Sequence, residues 1–437
     1  MKRLLYSAYH AHLVLSAPVR LGSRATLKLH DAAPSTLRSP FGRHLAAVHT
    51  VLDGARLTPT RPEFQRGEPF LDAEGNRAVE SVVDATPFAS LIRFHTPGST
   101  TKSKVLLAAP LSGHFATMLA PTIRTMLLDH DVYVTDWHSA REITVAAGRF
   151  GLDEYVDHLV RFQRVLGPDA HMMAVCQPCV PAVMAAAVLA QDDDPAQPRT
   201  LTLMAGPIDT RVNPTRINEV GYRRPLERYR RFVTVVPQRY PGAGRSVYPG
   251  FLQVGGFMTM NPKRHFESHR EIYRSVARGD VEASARTREF YAEYFAVLDM
   301  TAEFFLEAIE RIFQQDLLAK GEMTHHGRLV EPGRIRGTAL LTVEAERDDM
   351  CAVGQTAAAH GLFTGVEPEH HRSYVQPGVG HYGIFAGSRW SGEVYPVIRD
   401  FIADFDVPTP DAPPVHHGSA NPDEPAHVGG STHDDTR

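Results

Sequence analysis

The chain has 437 residues, 43% of them hydrophobic, and its 46 Lys and Arg side chains nearly balance 50 Asp and Glu side chains. The net charge of −4 lacks the basic excess of nucleic-acid-binding proteins, so that class is excluded. Three cysteines are too few for a disulfide framework and indicate a reducing compartment, typical of the cytoplasm.

We do not expect the N-terminal sequence to be a targeting segment. No apolar run approaches the ~18–20 residues of a membrane-spanning helix, so no transmembrane segment is expected. Tyr9, His10 and His12 interrupt an apolar stretch that otherwise looks like a signal peptide, and no clean cleavage site follows. Residues 1–90, with a predicted helix at 4–15, are interpreted as an N-terminal extension that packs on the core.

A regular alternation of strands and helices begins near residue 104. Short continuous apolar runs predict strands buried on both faces, at 105–109, 131–136, 171–175 and 200–206. Helical stretches separate them, at 117–128, 152–166 and 181–189. This order predicts an α/β fold with a mostly parallel sheet and crossover helices on both faces.

The alternation stops near Asp209 and resumes with a predicted strand at 338–344 and helices near 354–360 and 394–405. Between them the chain is rich in Arg, Pro, Gly and aromatic residues, with a helical stretch at 290–320. We interpret the chain as a core in two parts, an inserted cap (lid) over the carboxyl edge of the sheet, where such folds bind ligands, and a disordered tail. The ranges are 91–209 and 326–405 for the core, 210–325 for the cap and 406–437 for the tail.

The most informative motif is AVCQP at 174–178, at the junction of a buried strand and a helix. In α/β-hydrolases the nucleophile occupies such a sharp turn, flanked by small residues. Ala174 is small, and Pro178 suits the start of a helix because its missing N–H needs no partner. A helix N-terminus favours the thiolate of Cys176, the form that attacks.

Three other interpretations of Cys176 are open at this point. Most free cysteines are inert buried thiols. Cys176 and Cys179 also form a C-x-x-C, as in thioredoxin-like redox proteins, although the surrounding pattern is a much larger sheet. A zinc site would need two more ligands, and no second C-x-x-C exists, so no metal is expected.

A nucleophile in this fold needs an acid and then a histidine, in that chain order. Asp348 and Asp349 follow the strand at 338–344, and only one of them can orient an imidazole. His381 lies in a glycine-rich loop before the last helix. His325-His326 and His370-His371 are adjacent pairs, poorly spaced for chelation, and are interpreted as exposed loop residues.

The cap contains an apolar stretch punctuated by Gly and Pro, without helical or strand periodicity. It is interpreted either as ordinary cap packing or as a patch that contacts a hydrophobic polymer surface. The candidate contact residues are Tyr248, Phe251, Leu252, Phe257 and Met258.

Six motifs together resemble the intracellular polyhydroxybutyrate (polyhydroxyalkanoate) depolymerases. The resemblance extends from about residue 87 to residue 401. The motifs are VYVTDW (132–137), AVCQP (174–178), YPGFLQ (248–253), FYAEY (290–294), TVEAERDD (342–349) and GHYGIF (380–385).

The resemblance implies an α/β-hydrolase fold with a catalytic triad of Cys176, His381 and Asp348, the last chosen over Asp349 on the family pattern. It also implies cleavage of poly(3-hydroxybutyrate) through a thioester acyl-enzyme, in the cytoplasm on storage-polymer granules. The fold places the oxyanion hole at the backbone N–H of Gln177 and at the turn of Leu111 and Ser112. No cofactor is expected.

Coenzyme A as the acyl acceptor in place of water, and a homodimer, are left open by the sequence. The main alternative function is a polyester synthase, which uses a cysteine nucleophile in the same fold. The flanks Ala174 and Pro178 disfavour it, because a glycine-flanked elbow is expected there. A non-catalytic granule-coating protein and a disulfide oxidoreductase are the remaining alternatives.

Overall fold

The computed structural model describes residues 4–15, 17–32, 39–66, 68–98, 102–260 and 262–406. The strands, in chain order, are β1 (Val79–Ala85), β2 (Ala89–His95), β3 (Ser103–Ala108), β4 (His130–Trp137), β5 (His171–Val175), β6 (Thr200–Met204), β7 (Thr234–Val235), β8 (Ser246–Tyr248), β9 (Met300–Thr301), β10 (Thr324–His325), β11 (Arg328–Leu329), β12 (Ala339–Ala345) and β13 (His371–Gln376).

The α-helices, in chain order, are α1 (Leu4–Leu15), α2 (Ala17–Ala32), α3 (Pro40–Gly54), α4 (Ala120–Met126), α5 (Leu152–Leu166), α6 (Cys179–Gln191), α7 (Arg216–Arg223), α8 (Leu226–Arg230), α9 (Gly250–Met260), α10 (Pro262–Arg278), α11 (Ala285–Tyr294), α12 (Ala302–Glu307) and α13 (Tyr395–Phe405). Single turns of 3-10 helix lie between several of them, including His381–Ile384.

Eight strands form one sheet in the order β1-β2-β4-β3-β5-β6-β12-β13. The pairs from β4 to β13 are parallel, and β1 and β2 add an antiparallel edge. Strands β5, β6 and β12 are buried along their whole length, which explains their continuous apolar runs. This is the α/β-hydrolase fold, as predicted.

Helices cover both faces of the sheet and bury two apolar cores. Successive strand residues point to opposite faces, so Met172 belongs to the core beneath α5 and α6, and Met173 to the core beneath α4 and α13. Helix α6 is buried almost all round and is rich in alanine, which lets it lie close to the sheet.

Several predicted elements have different bounds in the structure. The predicted helix 117–128 becomes a 3-10 turn (Ala116–Leu119) followed by α4, with Pro121 in its first turn. The stretch 290–320 is not one helix: α11 ends at Tyr294, and from Val297 onward the N–H groups bond outside it. Val297 donates to the Thr58 carbonyl (2.8 Å) and Leu298 to the Gly113 carbonyl (2.9 Å).

The apolar stretch of the predicted cap forms helix α9, where no helical period was expected. A helix shows no amphipathic period when it is apolar on every side. Phe257 packs in the core cluster of α11, whereas Phe251 stacks on Tyr9 of α1 with ring centroids 4.5 Å apart. Helix α9 therefore has neighbours on two sides.

The segment 210–325 carries α7 to α12 and contacts the turn after β3. Thr117 Oγ1 donates to Glu293 Oε2 (2.6 Å), and His114 pairs with Val297 in an isolated antiparallel bridge. Its bounds as a domain stay a prediction. The predicted tail lies outside the described residues from 407 onward. None of the helices in the described ranges has the length and hydropathy needed to cross a bilayer.

Candidate active site

Cys176 lies in a sharp turn between β5 and α6. Its φ of 68° falls in the left-handed region, which costs a residue with a Cβ ~1–2 kcal/mol. The turn is held because the Cys176 N–H donates to the Met204 carbonyl (2.7 Å) and the Cys179 N–H donates to the Cys176 carbonyl (3.1 Å). A strained strand-to-helix turn is the setting in which this fold exposes a nucleophile.

Gly206 after β6 permits this turn to sit tightly against the sheet. A Cβ at residue 206 would lie 2.1 Å from Cys179 Cβ and 3.1 Å from the Cys176 carbonyl oxygen. Only glycine fits without moving the turn. Gly206, after the neighbouring strand, and Ala174, before the nucleophile, thus both allow the strand and the helix to pack closely.

His381 and Asp348 form a buried pair at the carboxyl end of the sheet. His381 Nδ1 lies 2.8 Å from Asp348 Oδ2, and the side chains are 5% and 0% exposed. Burial alone would lower the pKa of His381, but the negative charges of Cys176 and Asp348 and hydrogen bonds to both raise it well above its usual range. The electrostatics favour the imidazolium form of His381.

The acid is held by its own loop. The other oxygen of Asp348, Oδ1, accepts the N–H groups of Met350 (2.8 Å) and Cys351 (2.9 Å). Asp349 is exposed, so the partner of His381 is the first aspartate of the predicted pair. Both oxygens of the carboxylate face donors, as an orienting acid requires.

Glu344, which sequence reasoning did not single out, ties this loop to the end of β12. The side chain is buried, and Oε1 accepts the N–H groups of Gly354 (2.9 Å), Thr356 (2.8 Å) and Ala357 (3.2 Å). Thr356 Oγ1 in turn accepts from the Gly206 N–H (2.9 Å). The loop that carries Asp348 is thereby fixed to the strand beside the elbow.

The other two cysteines differ from Cys176. All three are free thiols. Burial raises the pKa of Cys179 and of Cys351 well above the usual range, whereas Cys176 is partly exposed. Cys179 Sγ lies 3.4 Å from the Ala174 carbonyl oxygen, in the strand–helix interface. Of the C-x-x-C pair, only Cys176 is accessible to solvent.

The predicted oxyanion hole needs a correction at Leu111. The Leu111 N–H donates to the side-chain oxygen of Gln177 (2.8 Å), so this group is occupied by the enzyme itself. Gln177 follows the nucleophile and is partly exposed, as is Ser112. The backbone N–H groups of Gln177 and Ser112 remain the predicted donors.

The predicted polymer-contact residues do not form an exposed patch. Tyr248 is buried, with its ring stacked 3.8 Å from that of Phe305, so it is not a surface contact. Phe251, Leu252, Phe257 and Met258 are each half-buried, because α9 packs between cap, core and α1. For these four, polymer contact stays a prediction.

Tyr382 connects the candidate site to the cap. Its ring lies edge-on to those of His381 (5.6 Å) and Phe290 (5.5 Å). Because Phe290 belongs to α11, the loop that carries His381 packs directly against the helix above it. The GHYGIF motif contains Tyr382, but its spacing gives no indication of this contact.

Comparisons with known proteins show what this chain is similar to. Residues 205–406 match the family model described as "PHB de-polymerase C-terminus". This segment of the chain is therefore similar to the polyhydroxybutyrate depolymerases. The matched segment contains Asp348 and His381, whereas Cys176 lies before it.

A curated protein that this chain is similar to is the Poly(3-hydroxyalkanoate) polymerase subunit PhaC of Haloferax mediterranei. It is 24% identical over 314 residues, which are 70% of this chain and 58% of the relative. The chain therefore spans less than two thirds of the length of the curated relative it matches.

Two hydrolases are among the solved structures that the chain is similar to. A putative lipase from Acinetobacter baumannii AYE has a TM-score of 0.43 and 13% identity, covering 75% of this chain and 93% of its own. A thermophilic esterase from Thermogutta terrifontis has a TM-score of 0.39 and 16% identity, covering 76% of this chain and 100% of its own.

Proposed function

We propose that this chain cleaves ester bonds of poly(3-hydroxybutyrate), with Cys176 as the nucleophile. The observation that carries the proposal is the strained turn of Cys176 combined with the buried pair of His381 and Asp348, 2.8 Å apart. The match to the depolymerase family model over the segment that contains this pair supports the substrate class.

In the first half-reaction Cys176 is the thiolate and His381 the imidazolium. The sulfur attacks the ester carbonyl carbon of a hydroxybutyrate unit, and the C–O bond of the ester breaks. His381 gives its proton to the departing alkoxide, which leaves as the hydroxyl end of the polymer. The acyl group stays on Cys176 as a thioester. Asp348 keeps the imidazole oriented and stabilises its charge.

In the second half-reaction His381 takes a proton from water. The water oxygen attacks the thioester carbonyl, the C–S bond breaks, and Cys176 leaves as the thiolate. The product is 3-hydroxybutyrate or a short oligomer. The N–H groups of Gln177 and Ser112 would stabilise the oxyanion in both halves. Coenzyme A could take the place of water, giving a hydroxyacyl-CoA by thiolysis.

Nothing in this route calls for a metal or a resident cofactor, because the thiolate, imidazole and backbone donors supply the nucleophile, the proton transfers and the charge stabilisation. The substrate is a storage polymer, so the proposal also places the enzyme at the surface of cytoplasmic polymer granules.

Polymer synthesis is the second candidate, favoured by the similarity to a protein named as a polymerase subunit. The same thioester would then form from a hydroxyacyl-CoA, with release of free coenzyme A. A chain-end hydroxyl rather than water would accept the acyl group, with His381 taking its proton. The acyl donor and the acyl acceptor together distinguish the two directions.

A two-way assay separates these candidates. The full chain is incubated with amorphous poly(3-hydroxybutyrate), with and without coenzyme A, and in parallel with 3-hydroxybutyryl-CoA. We expect soluble 3-hydroxybutyrate, oligomers or their CoA thioesters from the polymer. Polymer formed from 3-hydroxybutyryl-CoA with release of free coenzyme A, and no soluble product from the polymer, would overturn the depolymerase in favour of the polymerase.

A further inference from the structure

A cluster of two imidazoles and a carboxylate lies on α5 and the β10–β11 hairpin, apart from the catalytic residues. Asp157 is on α5, His325 ends β10, and His326 lies in the two-residue turn. The turn residues His326 and Gly327 have φ of 46° and 80°, the signs that a type I′ turn requires. Both histidines therefore reach one helix despite being adjacent.

The three side chains converge through the atoms that bind metals. His325 Nε2 lies 2.9 Å from Asp157 Oδ1, and His326 Nε2 lies 2.8 Å from Asp157 Oδ2. All three ligand atoms lie within 4.8 Å of one another. A zinc ion with bonds of ~2.0–2.2 Å holds its tetrahedral ligands ~3.3 Å apart, so small side-chain shifts suffice.

The backbone around this cluster is held independently of any ion. Asp153, one turn before Asp157 on α5, accepts the His326 N–H (3.2 Å) and an Arg311 N–H (2.8 Å). Arg311 also donates to the Thr324 carbonyl. The hairpin is thus clamped to α5, and the ligands require little ordering on binding.

The local field favours a cation. The carboxylate of Asp157 contacts both histidines, and the carboxylate of Asp153 lies against the His326 backbone N–H. The side chains of Asp157 and His326 are 45% and 52% exposed, so an ion can enter from solvent, whereas His325 is 13% exposed and fixed.

We propose that Asp157, His325 and His326 bind a divalent transition-metal ion, with Zn²⁺ as the probe. Imidazole nitrogens select Zn²⁺, Co²⁺ or Ni²⁺ over Mg²⁺ or Ca²⁺, which prefer oxygen ligands. Three protein ligands leave a position for water. The ion would join α5 to a hairpin that lies 168 residues further along the chain. The sequence analysis predicted no metal, because an adjacent histidine pair lacks chelating geometry without the carboxylate of α5.

The test is a calorimetric titration of the metal-free full chain with Zn²⁺. The sequence has four histidines beyond residue 407 (His416, His417, His427 and His433), so the parent protein carries alanine at all four. We expect one equivalent of Zn²⁺ per chain. His326→Ala and, separately, the near-isosteric Asp157→Asn should each weaken binding at least ~10-fold, the effect typical of a lost ligand interaction.

The matched control is His370→Ala, which removes an imidazole that packs on Phe405 outside the cluster. It should leave the affinity unchanged, and circular dichroism should show that all variants fold like the parent. If the parent takes up no Zn²⁺ at ~100 µM, or if neither variant weakens binding, the residues are a hydrogen-bonded cluster only and the proposal is overturned.

Discussion

His381 Nδ1 and Asp348 Oδ2 lie 2.8 Å apart in a buried setting, on two loops that meet at the end of the sheet. The carboxylate faces donors on both sides, because its other oxygen accepts two backbone N–H groups. This pair fixes which ring nitrogen faces Asp348, and it leaves Nε2 for the nucleophile and for water. The predictions below depend on this arrangement.

Replacing Asp348 with Asn should lower kcat by about 10²–10⁴-fold, since an amide can hold the wrong imidazole tautomer and does not stabilise the imidazolium. The measurement is kcat/KM on a soluble hydroxybutyrate oligomer. Asp349→Asn is the matched control, because that side chain is exposed. A loss in Asp349→Asn as large as in Asp348→Asn would contradict the assignment.

Replacing Cys176 with Ala should abolish polymer turnover and leave the chain folded, since it removes the attacking sulfur. Cys179→Ser should keep most of the activity, because a hydroxyl can make the contacts that the thiol makes with the Ala174 and Met204 carbonyl groups. Released 3-hydroxybutyrate and the circular dichroism spectrum are measured together. If Cys176→Ala kept most of the activity and Cys179→Ser lost it, the assignment of Cys176 as the nucleophile would be wrong.

The pH dependence should report the ion pair. Burial would lower the pKa of His381, yet the charges of Cys176 and Asp348 raise it well above 6.5. A raised folded-state pKa means that the stability contributed by the charged imidazole is present below the unfolded-state pKa. That contribution is lost as the pH rises through the folded-state pKa.

Alkylation of Cys176 by iodoacetamide is a direct readout of this ionisation. The rate should change in an alkaline step where His381 loses its proton, well above pH 6.5. In Asp348→Asn the step should move to lower pH, because one of the raising charges is gone. The absence of any step above pH 6.5 in the wild type would contradict the ion pair.

Glu344→Gln should destabilise the loop that carries the acid. The amide has nearly the same size as the carboxylate, but its NH₂ group faces at least one backbone N–H that the wild-type carboxylate bonds as an acceptor. Losing that hydrogen bond costs ~1–3 kcal/mol of stability. We expect a lower Tm and a lower kcat with little change in KM. Glu369→Gln, at an exposed position, is the control. Unchanged Tm and kcat in Glu344→Gln would show that the hydrogen bonds of Glu344 are dispensable.

The central sheet was predictable because strands buried on both faces require continuous apolar runs. Strands β1 and β13 were missed for the opposite reason: they lie at the edges of the sheet, and most of their residues are at least partly exposed. The elbow was predictable because it lies within five consecutive residues between a strand and a helix. The choice of Asp348 over Asp349 needed the family resemblance, and the exposure of Asp349 now supports it.

What the sequence missed consists of long-range contacts. Glu344 is one of several residues in a buried strand, and nothing local shows that its carboxylate accepts N–H groups ten or more residues away. The sequence of helix α9 has no amphipathic period because the helix has neighbours on two sides. Asp157 and His325 are too far apart in the chain for any motif to connect them.

The hydrogen bond from Leu111 to the Gln177 side chain bears on the design of inhibitors. In the unliganded enzyme the N–H of Leu111 is already saturated by an internal amide. Any aldehyde or boronate warhead that uses this N–H must first displace that amide and will lose affinity accordingly. Alkylating reagents do not need this N–H. Relative to carbonyl electrophiles, they should therefore label Cys176 faster than the reactivity of their leaving groups alone predicts.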